Sequence, residues 1–209
     1  MEPEILDQLP PDHPDVIRSR TDLKVINFLM GNERWIARQI RVFESARNQG
    51  VLEIGAGEGT LLARLAKLYP EIPLTACDLA PRPEGLPEGI TWDQRDVFES
   101  LATASAGVLA ANLFLHHFEN DELENFRPHL EKFEVICVNE PHRTSQTLRE
   151  AKLLLPIVGR ATKHDMIVSI RAGFLPGELP ERLGLKTGKW IIREETSWRG
   201  GLRMLAYRA

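Results

Sequence analysis

Residues 51–60, Val-Leu-Glu-Ile-Gly-Ala-Gly-Glu-Gly-Thr, restrict the fold more than any other stretch of this chain. The first four read as a strand. Residues 60–69 read as a helix with Leu61, Leu65 and Leu68 on one face, stopped by Pro70. Three glycines in five residues join the two. Glycine tolerates positive φ and lets a ligand come close to the main chain. The helix beyond offers unpaired N–H groups at its start. Strand, glycine turn and helix in that order form a nucleotide-loop unit of an open α/β sheet.

The alternation continues. Residues 74–77, 90–93, 107–115 and 135–138 read as further strands, and residues 121–132 and 144–155 as helices, the former flawed by Pro128. Strands that are apolar throughout must be covered on both faces. Strands alternating with helices build a mostly parallel, right-handed, doubly wound α/β sheet. Residues 190–192 and 204–207 flank Arg199-Gly200-Gly201 and suggest a closing hairpin. Upstream, apolar residues recur through 16–43 at the spacing of two amphipathic helices broken near Gly31-Asn32. Residues 1–15 hold four prolines and five acids and read as a loose lead. A chain of 209 residues suits one domain, with lead (1–15), N-terminal helices (16–43) and core (50–209).

Composition removes several functions. A formal net charge of −4 gives no reason to expect nucleic acid held by bulk charge. No apolar run approaches the roughly 18 residues of a membrane span, and the acidic N-terminus is unlike a secretory signal. A cytoplasmic protein is expected, as a monomer or homodimer. Cys77 and Cys137 lie in separate strand-like runs without a CxxC pair, so they read as reduced core thiols, not a zinc or redox site.

The glycine spacing separates two ligand classes. Dinucleotide binders favour GxGxxG, whereas Gly55, Gly57 and Gly59 form GxGxG. Glu53 sits in the strand just before the turn, where a carboxylate repels a pyrophosphate and suits a ligand carrying an ammonium and a sulfonium. A nicotinamide-dependent dehydrogenase is therefore the weaker alternative. Asp78 ends the second strand about 20 residues past the glycines, where an acid meets a ribose. Asp96 follows the third strand, placed to accept from an adenine amino group. Each acid also has a plain reading as a helix or turn cap. Three at successive strand ends, where open α/β sheets bind ligands, point together to a site.

On these residues the chain resembles the class I S-adenosylmethionine-dependent methyltransferases over nearly its whole length. Leu-Glu-Ile-Gly-Ala-Gly-Glu-Gly-Thr is similar to that family's first motif, and residues 111–118, Ala-Asn-Leu-Phe-Leu-His-His-Phe, to its fourth. The resemblance implies strand order 3-2-1-4-5-7-6. It implies that Glu53, Gly55, Gly57 and Gly59 hold the methionine end of S-adenosylmethionine, and Asp78 with Leu79 the ribose side. Asp96 and Val97 would take the adenine, and Asn112 and His117 would line the methyl donor. More narrowly, residues 139–143 and 163–179 resemble small bacterial methyltransferases that modify polyketides, quinones or phenols. Two departures stand out. Residues 79–89 hold three prolines and two glycines where many relatives keep a helix, and the link from Asp96 to strand four is short.

The expected acceptor is a small molecule. His116 and His117 are read as ending strand four, where a methyl group would be presented, with side chains on opposite faces. His142 and Arg143 follow strand five at the same edge. His164 stands beside Asp165 in an insert before Phe174, and neighbours in sequence seldom pair well. His116, His164 and Arg143 are the candidate catalytic residues, with Arg171 as a holder of a carboxylate or phenolate. A non-catalytic, cofactor-binding partner of another enzyme fits the same features.

Overall fold

The computed structural model describes residue 5, residues 9–10, 13–154 and 158–209. Most of the expected lead, and residues 155–157 of the apolar stretch 151–158, lie outside the described residues.

Seven strands form one sheet: β1 (Val51–Ile54), β2 (Leu74–Cys77), β3 (Ile90–Asp93), β4 (Val108–Asn112), β5 (Val135–Pro141), β6 (Trp190–Thr196) and β7 (Gly201–Arg208). Their order is 3-2-1-4-5-7-6. β1 to β5 run parallel, and β7 is antiparallel to both β5 and β6. The doubly wound sheet and its closing hairpin are as the sequence led one to expect.

The described helices are α1 (Pro14–Met30), α2 (Asn32–Arg41), α3 (Glu44–Asn48), α4 (Thr60–Leu68), α5 (Val97–Thr103), α6 (Asn120–Glu124), α7 (Arg127–Leu130), α8 (Ser145–Leu154), α9 (Arg160–Ala172) and α10 (Glu178–Arg182). Side chains alternate across each strand, so the sheet feeds two cores. Val51, Ala110, Cys137 and Leu205 face Ile36 and Ile40 of α2 and Leu61, Leu62 and Leu65 of α4. Leu52, Ile54, Leu109 and Ile136 face Leu101, Phe126, Phe133 and Phe174. Each of these large side chains contributes roughly 1.5–3 kcal/mol by burial. By the same alternation Glu53 points, with Val51, toward α2 and α4.

Several local expectations are corrected. The strand expected at 107–115 ends at Asn112, because Leu113 turns the chain out of the sheet at φ 57°. A 3-10 turn (Leu115–His117) follows, so neither histidine ends a strand. The helix expected at 121–132 is two short ones, since Pro128 stands in the first turn of α7 and fits only a helix start. α5, α9 and α10 form where no helix was expected. Leu62, not Leu68, completes the buried face of α4, because the helix ends beyond the sheet and leaves Leu68 exposed.

α2 is amphipathic as read, with Trp35, Ile36, Ala37 and Ile40 inside. α1 is not: Ile17, Leu23 and Leu29 are exposed, since it packs along α9 and not on the sheet. β5 runs three residues beyond the expected Val138, which draws Asn139 and Glu140 into the buried sheet. Both cysteines are buried and unpaired. Burial pushes the Cys137 thiol up to about 12, so it stays protonated and inert. Among the described residues no helix is long and apolar enough to cross a membrane.

Candidate active site

Strand register places the expected residues along one edge. Ile54 is level with Cys77 and Ala111, and Cys77 with Asp93. The next residues, Gly55, Asp78, Gln94 and Asn112, therefore leave the sheet side by side at its C-terminal edge. Asn139 of β5 pairs with Asn112 in the same row.

The three glycines of the turn all take positive φ, at 63°, 54° and 65°. Their surroundings differ. A Cβ on Gly55 would lie 2.1 Å from the Phe114 ring, and one on Gly59 2.6 Å from Leu86. A Cβ on Gly57 would meet nothing within 4 Å. Packing against the Phe114 ring requires a glycine at 55, the contact at 59 is with a terminal methyl of Leu86 that can shift, and the middle glycine faces open space at the strand edge.

Glu53 lies below this turn, only 3% exposed, and its Oε2 has no hydrogen-bond partner. Burial holds its carboxyl well above the usual carboxylate range. The nearby Glu33 and Asp78 charges add to that, against one hydrogen bond from the Leu62 N–H in the first turn of α4. A buried carboxyl oxygen without a protein partner is costly, and a cationic or N–H-bearing ligand group would fit it.

Asp78 accepts from the Gly57 N–H at 2.7 Å and the Ala80 N–H at 2.9 Å, so it braces the glycine turn while standing at the edge. The adjacent Leu79 is 73% exposed at the same edge. Asp96 caps α5 through the Phe98 N–H at 2.8 Å, the plain role the sequence allowed, with its second oxygen uncommitted to that bond. The Val97 side chain is in the core, so only its main chain can serve a ligand. The Asn112 Oδ1 is buried without a partner. Residues 79–89 form no helix, as their prolines and glycines foretold.

The N-terminal helices reach this turn through residues that sequence reasoning missed. Lys24 of α1 pairs with Glu58 at 3.0 Å. Glu33 of α2 accepts from the Thr60 hydroxyl at 2.7 Å and pairs with Arg64 at 3.3 Å.

On the other side of Asn112 the structure departs further from expectation. His116 is buried, its Nδ1 2.7 Å from the Glu140 Oε2. His117 is exposed, with its Nδ1 2.9 Å from the Phe114 carbonyl oxygen. That carbonyl can only accept, so Nδ1 bears the proton and Nε2 is the basic atom of the neutral ring. The two rings stack 4.2 Å apart instead of pointing to opposite faces, because the 3-10 turn, not a strand, carries them. His164 and Asp165 do pair, at 3.0 Å, on α9. Arg143 pairs with Glu178 at 2.5 Å and, with Phe118, Asp121, Val168, Arg171 and Arg182, lines an open cleft of about 490 Å³. Among the described residues no group of three or more His, Cys, Asp or Glu is placed to hold a metal.

Glu140 was also missed. Its signal was present in the sequence: an acid two residues past a run read as a buried strand.

A scan against protein-family models found no match, and no curated protein matched either. Solved structures do match. The plantazolicin methyltransferase BamL, solved with a triazolic desmethylPZN analog and SAH, superposes with a TM-score of 0.73 at 14% identity, over 95% of this chain and 92% of its own. Magnesium protoporphyrin IX methyltransferase (ChlM) from Synechocystis PCC 6803, with bound SAH, gives 0.60 at 16% identity over 90% and 86%. The methyltransferase domain of bacterial CtHen1 gives 0.57 at 16% identity over 86% and 100%. The chain therefore has the fold of the class I methyltransferases.

Proposed function

We propose that this chain binds S-adenosylmethionine along the β1–β4 edge and transfers its methyl group to a small-molecule acceptor. The observation that carries this reading is Glu53: a buried carboxylate with an unpartnered oxygen, under a glycine turn whose middle residue faces open space. A pyrophosphate is a poor fit beside such a group, and an α-ammonium is a good one. The other residues agree. Asp78 retains acceptor capacity for a ribose hydroxyl, Leu79 offers an uncovered apolar surface to a purine, and Asn112 offers an unpartnered amide oxygen.

Bound S-adenosylmethionine supplies an electrophilic sulfonium methyl, open to in-line displacement. What remains for the chain is to orient the acceptor and exclude water, and orientation can supply much of the rate. The cleft beside Phe118 carries Arg143, Arg171 and Arg182 together with Glu119 and Asp121, and Glu178 pairs with Arg143 and Arg182, so the cleft offers a polar, mixed-charge wall to an acceptor. Two of the structural neighbours are methyltransferases of plantazolicin and of magnesium protoporphyrin IX, which supports a natural-product acceptor; the resemblance of residues 139–143 and 163–179 to small tailoring enzymes favours a phenolic, quinone or polyketide-like one. A hydroxyl acceptor needs a base. His117, on the exposed side of the turn, is better placed to reach one than the buried His116. His164, oriented by Asp165, is the second candidate.

Thermal stabilisation and calorimetry test the reading. S-adenosylhomocysteine is expected to raise the melting temperature and NAD to leave it unchanged. Stabilisation by NAD alone would sink the proposal. Asp78→Ala is expected to weaken S-adenosylhomocysteine at least tenfold, about 1.4 kcal/mol, since it removes a ribose partner and the brace on Gly57 together. Unchanged affinity in the folded variant removes Asp78 from the site.

A further inference from the structure

Glu140 lies at the end of β5 with no exposed surface. A carboxylate there is tolerated only if donors surround it. All four that the structure supplies come from one short turn. Oε1 accepts from the Phe114 N–H at 3.1 Å and the Leu115 N–H at 2.7 Å. Oε2 accepts from the His116 N–H at 3.3 Å and lies 2.7 Å from His116 Nδ1. Three successive main-chain amides of the turn after β4 converge on one side chain of the neighbouring strand, β5.

The turn so held is strained. Leu113, its first residue, is the only non-glycine with positive φ among the described residues. A branched side chain disfavours that region, and such strain persists only where the surroundings over-determine it. Its own N–H is fixed too, donated to the Asn139 carbonyl at 2.8 Å. The consequence of the strained shape is visible one residue on. Phe114 swings onto the glycine turn so closely that Gly55 has no room for a Cβ, its ring lying 2.1 Å from that position. Phe114 also meets Phe118 edge-on, at 5.1 Å, where the acceptor cleft begins.

We propose that Glu140 is a positioning residue that holds the turn after β4 against the strain at Leu113, and so sets the wall shared by the methyl-donor site and the acceptor cleft. Glu140 touches neither ligand; it acts through Phe114 and the main chain of residues 114–116. The proposal rests on the methyltransferase reading above, because the wall matters only if the donor lies along Gly55 and Asn112.

The test separates positioning from general support of the fold. S-adenosylhomocysteine affinity is measured by calorimetry, well below the melting temperature, for the wild type, Glu140→Gln, Leu113→Gly and the double variant. Glu140→Gln keeps the shape but weakens every hydrogen bond of the clamp and sets an amide N–H₂ against the His116 N–H. It is expected to lose about tenfold in affinity. Leu113→Gly removes the strain the clamp opposes, since glycine adopts positive φ freely. Alone it should stay within about threefold of wild type, and in the double variant it should restore affinity to within about threefold. Hydrogen exchange of the 114–116 amides in the ligand-free protein should be slow in the wild type and faster in Glu140→Gln.

Undiminished affinity in Glu140→Gln overturns the proposal. So does a loss that Leu113→Gly fails to restore, the behaviour of a residue that merely supports the fold. A wild-type protein that does not bind S-adenosylhomocysteine at all would instead defeat the methyltransferase reading, and the clamp's role with it.

Discussion

Gly57→Ala leaves a folded protein that no longer binds S-adenosylhomocysteine, while Gly55→Ala damages the fold itself. The two glycines are two residues apart and take nearly the same φ, 54° and 63°. In both, an L side chain costs roughly 1–2 kcal/mol for the left-handed backbone. They differ in what the new methyl group meets. At Gly57 it meets open space at the strand edge, so the ligand-free protein loses only the backbone cost, about 2–8 °C in melting temperature for a chain of this size. That open space is where the donor is proposed to lie, so affinity should fall at least 100-fold, about 2.7 kcal/mol.

At Gly55 the methyl group meets the Phe114 ring at 2.1 Å. The ring must move, at an overpacking cost of about 1–3 kcal/mol on top of the backbone term. Gly55→Ala should therefore melt well below Gly57→Ala. Melting curves and calorimetry on the pair check this. Gly57→Ala with wild-type affinity would place the ligand elsewhere.

Glu53→Gln carries the second large effect, and it depends on pH. Burial raises the folded-state pKa of Glu53 above its unfolded value. The folded protein thus holds that proton more tightly than the unfolded chain. Its contribution to stability is complete below the unfolded pKa and is lost as pH rises through the folded pKa. Glutamine keeps the shape and carries no charge to bury. The ligand-free Glu53→Gln protein should match or exceed the wild type in melting temperature at pH 8, and the difference should shrink as pH falls toward 4.5.

Ligand affinity should move the other way. An ammonium beside Glu53 favours the charged carboxylate, so wild-type binding should release a proton and tighten as pH rises. Glu53→Gln should lose at least tenfold in affinity and release no proton there. Calorimetry in two buffers of different ionisation enthalpy reads the proton directly. Were Glu53 to serve only the glycine turn, the ligand-free melting temperature would fall at pH 8 and no proton would be released.

These predictions rest on residues of unequal legibility. The glycine turn and its flanking acids could be read from residues 51–60 because the requirement is local. A strand, a turn that demands positive φ and a helix start occur within ten residues, and each has its own residue preference. A mostly parallel, doubly wound sheet followed the same way, since apolar runs alternating with helices admit few arrangements, whereas its strand order came from the resemblance to the class I methyltransferases. Asp78 was legible through its distance from the glycines, which the length of one crossover sets.

What tertiary structure decided is the turn after β4 and everything that depends on it. Read along the chain, residues 107–115 are a nearly unbroken apolar run, and nothing local says that a strand must stop at Asn112. The stop comes from Glu140, distant in sequence, whose carboxylate takes the amides of residues 114–116 and makes the strained Leu113 affordable. Those contacts go with a buried His116, an exposed His117 and a Phe114 ring set against Gly55. In the same way α1 has apolar residues at helical spacing, and only its packing on α9 instead of the sheet leaves several of them exposed. Local preferences act over a few residues and are written in the sequence one after another. The place where a strand ends or a helix turns its face is set by long-range hydrogen bonds and packing, which exist only once the sheet has brought distant residues together.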